Sequence, residues 1–574
     1  MLTTDQDKFL LNGEEFRVLS GSIHYFRVVP AYWKDRLLKL KVLGLNTVET
    51  YIPWNLHEPK KGQFDFDGIA DFESFVKVAE EVGLYVILRP SPYICAEWEF
   101  GGLPAWLLKD KNIELRCSDP TYLKHVDEYY DELIPRIQPL LSSHGGPVIA
   151  VQIENEYGGF GDEEAYLTHL EEGLKNRGID VLLFTSDGPD MIQAGSLPHV
   201  LTTLNFGSRV ENALKELTGF KKISPKMCME FWIGWFDYWG GEHHTRNAAD
   251  VAAVFEEMLE KNMSVNYYMF HGGTNFGFYN GANHYEAYTP TITSYDYDAL
   301  LSESGEITEK YKQVQNVLRK YTNVSNELPE PIQKKAYGEL RLIESISLFD
   351  LVDSLTQPVI HPRPLSMEQL DQAYGYTLYR VQITGKGVYE VDTTPIRDRA
   401  YLYVNGQFER VVYRNDPDKT ISIEFPEDRN TLELFVENMG RVNYGKKMKD
   451  SKGLIDNLWI NGRFHSGWEM YPLELTDDCS IHFNSNKDER FPKFFHGELE
   501  VDEVADTFIN LEGWTKGNVY VNNTNIGRYW EVGPQKTLFI PGPLLKRGKN
   551  RIVVLELEGH HSNAVTFTDQ PELG

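Results

Sequence analysis

The chain reads as a (β/α)8 TIM barrel followed by two all-β sandwiches, and three observations predict this. Residues 1 to about 320 alternate short apolar runs with segments of helical periodicity. No GxGxxG phosphate loop follows the first run, which disfavours an open, doubly wound sheet. Beyond the polar, proline-bearing stretch Asn326–Lys334, a plausible linker, helical periodicity fades into short alternating strands separated by turn residues. A chain of 574 residues is also too long for one core, so roughly two to four domains are expected.

The strand candidates are Val18–His24, Thr47–Ile52, Tyr85–Leu88, Val148–Ile153, Val181–Phe184, Val200–Leu204, Met227–Phe231 and Val265–Phe270. Runs with little alternation suit parallel strands covered on both faces. Between them lie amphipathic segments such as Tyr32–Leu43, Asp71–Val82, Glu163–Arg177 and Ala248–Lys261, and Thr308–Lys320 closes the region. Gly44, Gly83 and Gly178 follow helices, where C-terminal caps belong. Eight βα units over this length indicate a closed barrel.

In the β region, Ala400–Val404 precedes Asn405-Gly406, and Thr431–Val436 forms a further strand. A weak repeat relates Arg399–Gly406 (RAYLYVNG) to Lys516–Asn523 (KGNVYVNN). Each leads through an Arg-Asn or Lys-Asn turn to another apolar strand, Asn430–Val436 or Asn550–Glu556. Two related sandwiches are the economical reading, divided near Asn484–Asp488. The expected boundaries are 1–325, 335–485 and 486–574, with part of 335–390 able to pair with the last domain.

The net charge of −28 argues against nucleic acid as a partner. No stretch approaches the ~18 apolar residues of a membrane span, and the N-terminus lacks a signal-peptide pattern. Cys95, Cys117, Cys228 and Cys479 show no CxxC spacing, so neither a disulfide framework nor a zinc site is expected. A reduced, cytoplasmic location follows as an expectation. Aromatic residues make up 13% of the chain, high enough to serve sugar stacking as well as cores.

Strand ends of a barrel converge on one mouth. The fourth strand ends in Glu154-Asn155-Glu156, and the seventh carries Glu230 ahead of Trp232, Trp235 and Trp239. A retaining glycosidase needs a nucleophilic carboxylate and a proton-donating one about 5–5.5 Å apart. Glu156 and Glu230 fit these roles by position, and Asn155 is placed to bond a sugar 2-hydroxyl. Structural readings stand beside these: a cap or ion pair for a single Glu, Glu97 or Glu99 paired with Arg89, and core packing for His24, His57 and His271. His243-His244 and His560-His561 lack a carboxylate or Cys at ligand spacing. No metal and no cofactor are expected.

Long segments here resemble glycoside hydrolase family 35, the β-galactosidases: Tyr51–Pro59 (YIPWNLHEP), Leu88–Leu107 (LRPSPYICAEWEFGGLPAWL), Gly145–Gly158 (GGPVIAVQIENEYG), Met229–Gly240 and Thr293–Ala299 (TSYDYDA). The match covers most of 7–320 and is weaker beyond. The resemblance implies a retaining exo-β-galactosidase with Glu156, rather than Glu154, as acid/base and Glu230 as nucleophile. It implies further that Tyr51, Cys95, Ala96, Glu97, Asn155 and Tyr297 line the galactose subsite. Trp232 stands where the lysosomal type has Tyr, which points to different aglycone contacts. Trp514–Asn522 and Gly527–Gln535 look like the family's jelly-roll, galactose-binding-like modules, expected here to support and shape the site. The compact bacterial type that the chain resembles implies a preference for β-1,3-linked galactose. A β-galactoside oligosaccharide is the expected partner, and a homodimer through a sandwich edge is a further possibility. An exo-β-glucosaminidase and a non-catalytic galactoside-binding protein are the competing readings.

Overall fold

The architecture, a computed structural model, describes every residue except Ser91, Asn323, Asn326, Cys479 and 484–487. The first residue of the expected linker, one of the four cysteines and most of the expected sandwich division at Asn484–Asp488 therefore lie outside the described residues.

Eight parallel strands close into a barrel: β1 (Leu19–Ile23), β2 (Thr47–Tyr51), β3 (Tyr85–Arg89), β4 (Val148–Gln152), β5 (Leu182–Asp187), β6 (Leu201–Phe206), β7 (Met227–Trp232) and β8 (Ser264–His271). Each pairs with its sequence neighbour, and β8 returns to β1. β4 is buried along its whole length, as its unbroken apolar run requires. Helices Trp33–Leu43 and Phe72–Val82 end at Gly44 and Gly83, with φ of 104° and 82°, conformations that a side chain would strain. Asp71 caps the second of these through the Ser74 N–H. At the opposite end from the strand C-termini, the hairpin Leu2–Asp5/Lys8–Leu11 stops the barrel. Its Leu2 and Phe9 pack with Val18, Ile149, Phe184 and Met227.

The first sandwich packs a sheet of six strands, Val359–His361 through Trp468–Leu473, against the pair Gly387–Asp392/Thr420–Phe425. Val381, Val391, Ile423, Phe425 and Leu434 fill its core. The second sandwich has a five-stranded and a four-stranded sheet. Strands Gly338–Arg341 and Glu344–Ser347 hydrogen-bond to Ala564–Thr568 and Lys493–Val501, so this stretch is built into the second sandwich and the first is inserted after it. The repeated segments occupy equivalent hairpins. Arg399–Val404 turns through Asn405-Gly406 (φ 51° and 78°), and Lys516–Val521 turns through Asn522-Asn523 (φ 48° and 74°). Each first strand then pairs on its other side with the strand that follows the Arg-Asn or Lys-Asn turn.

Both sandwiches dock on the barrel mouth through the long segment after β8. The Thr293 hydroxyl donates to Arg528 O at 2.7 Å, and the Tyr288 hydroxyl to Asp398 Oδ2 at 3.2 Å. No helix is long and apolar enough to cross a membrane among the described residues.

Candidate active site

A cavity of about 160 Å3 opens at the C-terminal end of the barrel strands. That is smaller than the roughly 300–1,000 Å3 of pockets for drug-sized ligands and suits a single sugar ring. All nine residues assigned to the site from the sequence line it: Tyr51, Cys95, Ala96, Glu97, Asn155, Glu156, Glu230, Trp232 and Tyr297. Trp235, Phe236, Tyr268, Asn283, Tyr285 and Tyr444 complete the wall.

The β4 end places its three polar residues in different directions. Glu154 and Glu156 both adopt left-handed φ, 51° and 47°. Glu154 is turned away from the cavity into a bidentate pair with Arg116, at 3.0 and 2.9 Å, and also accepts from the Tyr166 hydroxyl. Asn155 and Glu156 face inward. Arg116 braces the turn further by donating to Asn155 O at 2.7 Å. Arg116→Met is expected to destabilise the protein by about 3–5 kcal/mol, because the buried Glu154 loses its partner. A urea unfolding midpoint measures this, and a variant as stable as the parent would exclude the brace.

Glu230, on β7, is an acceptor at both oxygens. Its Oε1 takes the Tyr51 hydroxyl at 2.7 Å and Arg89 Nη2 at 2.6 Å, and its Oε2 takes Trp232 Nε1 at 3.2 Å. Arg89 is fully buried on β3 and reaches Glu49 at 3.7 Å as well. The pairing of Arg89 with Glu97 or Glu99 considered from the sequence is not what forms. β3 and β7 point their C-terminal ends at the same axis, whereas Glu99 faces Arg441 of the first sandwich at 2.6 Å. Asn155 Oδ1 accepts from Arg89 and Gln152, and its amide nitrogen, one hydrogen of which reaches Ile94 O at 3.3 Å, keeps the other as the inward donor.

Glu156 has a different environment. Among the described residues its one protein donor is Asn205 Nδ2 at 3.1 Å, and the Ser186 hydroxyl fixes that amide by donating to Asn205 Oδ1. Burial first, and the nearby Glu230 second, push the Glu156 pKa up to about 8. Burial also raises Glu97 to about 7, although the Tyr295 hydroxyl donates to it at 2.5 Å. Two carboxyls displaced upward in one concavity mark a chemical site.

Glu97 belongs to a loop of unusual backbone. Cys95, Ala96 and Glu97 have φ of 58°, 55° and 48° without a glycine among them, at about 1 kcal/mol or more apiece. Neighbours on two sides hold it: Gly281 N donates to Glu97 O at 2.8 Å, Asn443 Nδ2 reaches Cys95 Sγ at 3.6 Å, and Tyr93 donates to Asn443 O at 2.6 Å. The first sandwich thus helps to shape the cavity.

Asn443 and Tyr444 were not legible in the sequence, since no local pattern marks a residue that docks on another domain. Trp235 sits in the aromatic run after Glu230, and that run was the available signal for it. Of the histidines, His24 bonds Arg27 and His57 bonds Tyr25, so both serve the core. His243 and His244 do meet a carboxylate: Asp237 binds both, at 2.7 and 2.8 Å. Spacing alone hid it because the chain folds back after Trp239. Among the described residues no group of three or more His, Cys, Asp or Glu is arranged to hold a metal.

A parallel barrel with two inward carboxylates at the β4 and β7 ends, set among aromatic rings, defines a glycoside hydrolase. The chain belongs to glycosyl hydrolases family 35, whose sequence profile matches residues 8–321. Profiles described as β-galactosidase, first all-beta domain, and β-galactosidase, galactose-binding domain, match 364–474 and 492–550. The chain is 42% identical to human beta-galactosidase-1-like protein 2 (99% of this chain, 91% of that one). It is also 42% identical to a beta-galactosidase of Xanthomonas manihotis (94% and 91%) and to human beta-galactosidase (99% and 90%).

Proposed function

We propose that this enzyme removes terminal, non-reducing β-D-galactose by double displacement, with Glu230 as nucleophile and Glu156 as acid/base. The observation that carries the reading is the contrast between the two carboxyls. Glu230 accepts from a guanidinium, a phenol and an indole, so neither of its oxygens is placed to donate a proton. Glu156 is held protonated near neutrality by burial and by the charge of Glu230. Separated environments of this kind assign base and acid.

In the first step Glu230 attacks the anomeric carbon while Glu156 gives its proton to the departing glycosidic oxygen. Bonding Glu230 to the sugar removes its negative charge, and with it one cause of the high Glu156 pKa. Glu156 then takes a proton from water as the water oxygen attacks the same carbon and frees Glu230. Two inversions give retention. The Asn155 amide nitrogen is the donor for the 2-hydroxyl, and Glu97 the partner of the hydroxyl that distinguishes galactose. The activity in the relatives' names supports galactose as the sugar.

The rim favours a leaving sugar that lies flat. Trp232 and Trp235 stand at 84° to one another, 5.7 Å apart, and Trp235 and Tyr285 are 41% and 67% exposed. Apolar sugar faces stack on such rings. The rings fit a sugar on the leaving-group side, and the resemblance to the compact bacterial type is what supports a β-1,3 preference. Assays of pure enzyme on β-1,3-, β-1,4- and β-1,6-linked galactosyl disaccharides are expected to give the highest kcat/KM on the first. Dominant β-1,4 cleavage would overturn the preference.

A further inference from the structure

A second cavity, of about 450 Å3, lies beside the catalytic one between the barrel and the first sandwich. The two share a wall. Asn283 lines the catalytic cavity and His284 the other. They are successive residues of the strand Ala282–His284, so their side chains take opposite faces. Further along the wall, Tyr444 lines the catalytic cavity, while Lys446, Lys447 and Lys449 line the second. Lys447 also donates to the carbonyl of the rim residue Tyr285, at 2.7 Å.

This lining is positive in a chain of net charge −28. Lys111, Arg397 and Arg414 join the three lysines, against the carboxylates of Asp110 and Asp450. Asp450 is already engaged by Arg414 at 2.9 Å and Lys452 at 2.7 Å. Asp110 caps a turn through Asn112 N, and Lys449 pairs with Glu114. The other four cations make no ion pair among the described residues. Arg397 donates to Thr394 O and Ile396 O, Lys446 to Phe160 O and Lys447 to Tyr285 O. A carbonyl orients a cation without neutralising it. Burial first, then Arg414 and Lys447, lowers the His284 pKa to about 4, so the imidazole registers the positive field without adding to it. Like charges collected in one concavity repel and lower stability unless a counter-charge arrives.

We infer that this cavity binds an anionic group, a sulfate ester or a uronate carboxylate, carried on the leaving-group side of the galactoside. The inference rests on the galactoside reading above. Lys447 is three residues beyond Tyr444, at most roughly 10 Å along the chain, within reach of the first sugars past the cleaved bond. Lysines are flexible point charges that accept either oxyanion.

Three β-galactosyl disaccharides test it: a neutral one, one sulfated on the reducing sugar, and one with a uronic acid as that sugar. At low ionic strength kcat/KM is expected to be about tenfold higher for at least one acidic substrate. In 1 M salt, where the screening length is about 3 Å, the preference should vanish. Which acidic substrate gains tells sulfate from carboxylate recognition. The Lys111→Ser/Lys447→Ser double variant should bring the acidic-to-neutral ratio close to one, a ratio from which general folding damage cancels. Equal rates on acidic and neutral disaccharides, or an unchanged ratio in the double variant, overturn the inference. A neutral aryl β-galactoside separates the two levels: hydrolysis of it without an acidic preference sinks this inference alone, and no hydrolysis sinks the galactoside reading with it.

Discussion

Glu230→Gln is expected to lower kcat on the order of 10⁴-fold or more and to abolish covalent trapping by a 2-fluorogalactosyl donor. The replacement keeps the shape of the side chain. An amide oxygen can still accept from Arg89 and Tyr51, which now hold Oε1 at 2.6 and 2.7 Å, so the fold should persist and only the nucleophile is lost. In the parent enzyme, peptide mass analysis should place the trapped sugar on Glu230; label on any other residue would remove its assigned role. The same variant has a second consequence. Glu230 is one cause of the raised Glu156 pKa, so neutralising it should move Glu156 down, which a carboxyl NMR titration reads directly. An unmoved Glu156 would mean that burial alone sets its protonation.

Glu156→Ala should slow disaccharides by about 10²–10⁴-fold, the usual worth of a positioned general acid. An aryl galactoside whose phenolate leaves without help should lose far less in the first step. Equal losses on the two substrates would argue against proton donation. The pH profile gives an independent check. Glu156 must be protonated to act, and its pKa lies near 8 rather than near the ~4.3 of a free Glu. Activity should therefore fall as pH rises through about 8, and that alkaline limb should be missing in Glu156→Ala. Asn205→Ala removes the hydrogen bond that the Asn205 amide donates to Glu156. Since that hydrogen bond favours the ionised form, the limb should shift to higher pH.

The barrel was legible because its strands are buried on both faces, and burial writes long apolar runs into a sequence. At five of the eight strands the expected boundary fell short at the C-terminal end. Val181–Phe184 was expected, whereas β5 runs from Leu182 through Thr185, Ser186 and Asp187. There the hydrogen-bond ladder continues after apolar character stops, because these side chains turn into a polar mouth. The hairpin repeat was legible for another reason: a two-residue turn needs left-handed residues, and Asn405-Gly406 and Asn522-Asn523 supply them.

Partnerships across the mouth were a different matter. Arg89 is 141 residues from Glu230 and 66 from Asn155 in the chain, and no periodicity relates them. Nearer carboxylates, Glu97 and Glu99, were the natural guesses, yet one of them serves Tyr295 and the other Arg441. Tyr444 reaches the cavity, and Asn443 the Cys95 loop behind it, only because the first sandwich docks against the segment after β8, where Asn443 N meets Ala282 O at 2.9 Å.

By itself the sequence determined which residue types stand at each strand end, because hydrophobic period and turn chemistry are local properties. Only the tertiary structure decided how they divide the work. Glu154 and Glu156 are two residues apart and chemically identical. Their left-handed turns send one to the buried Arg116 guanidinium, where its charge is paired, and the other into a cavity beside Glu230, where burial and a like charge keep it protonated. Protonation depends on what lies around a carboxyl in space, and distant parts of the chain supply those surroundings.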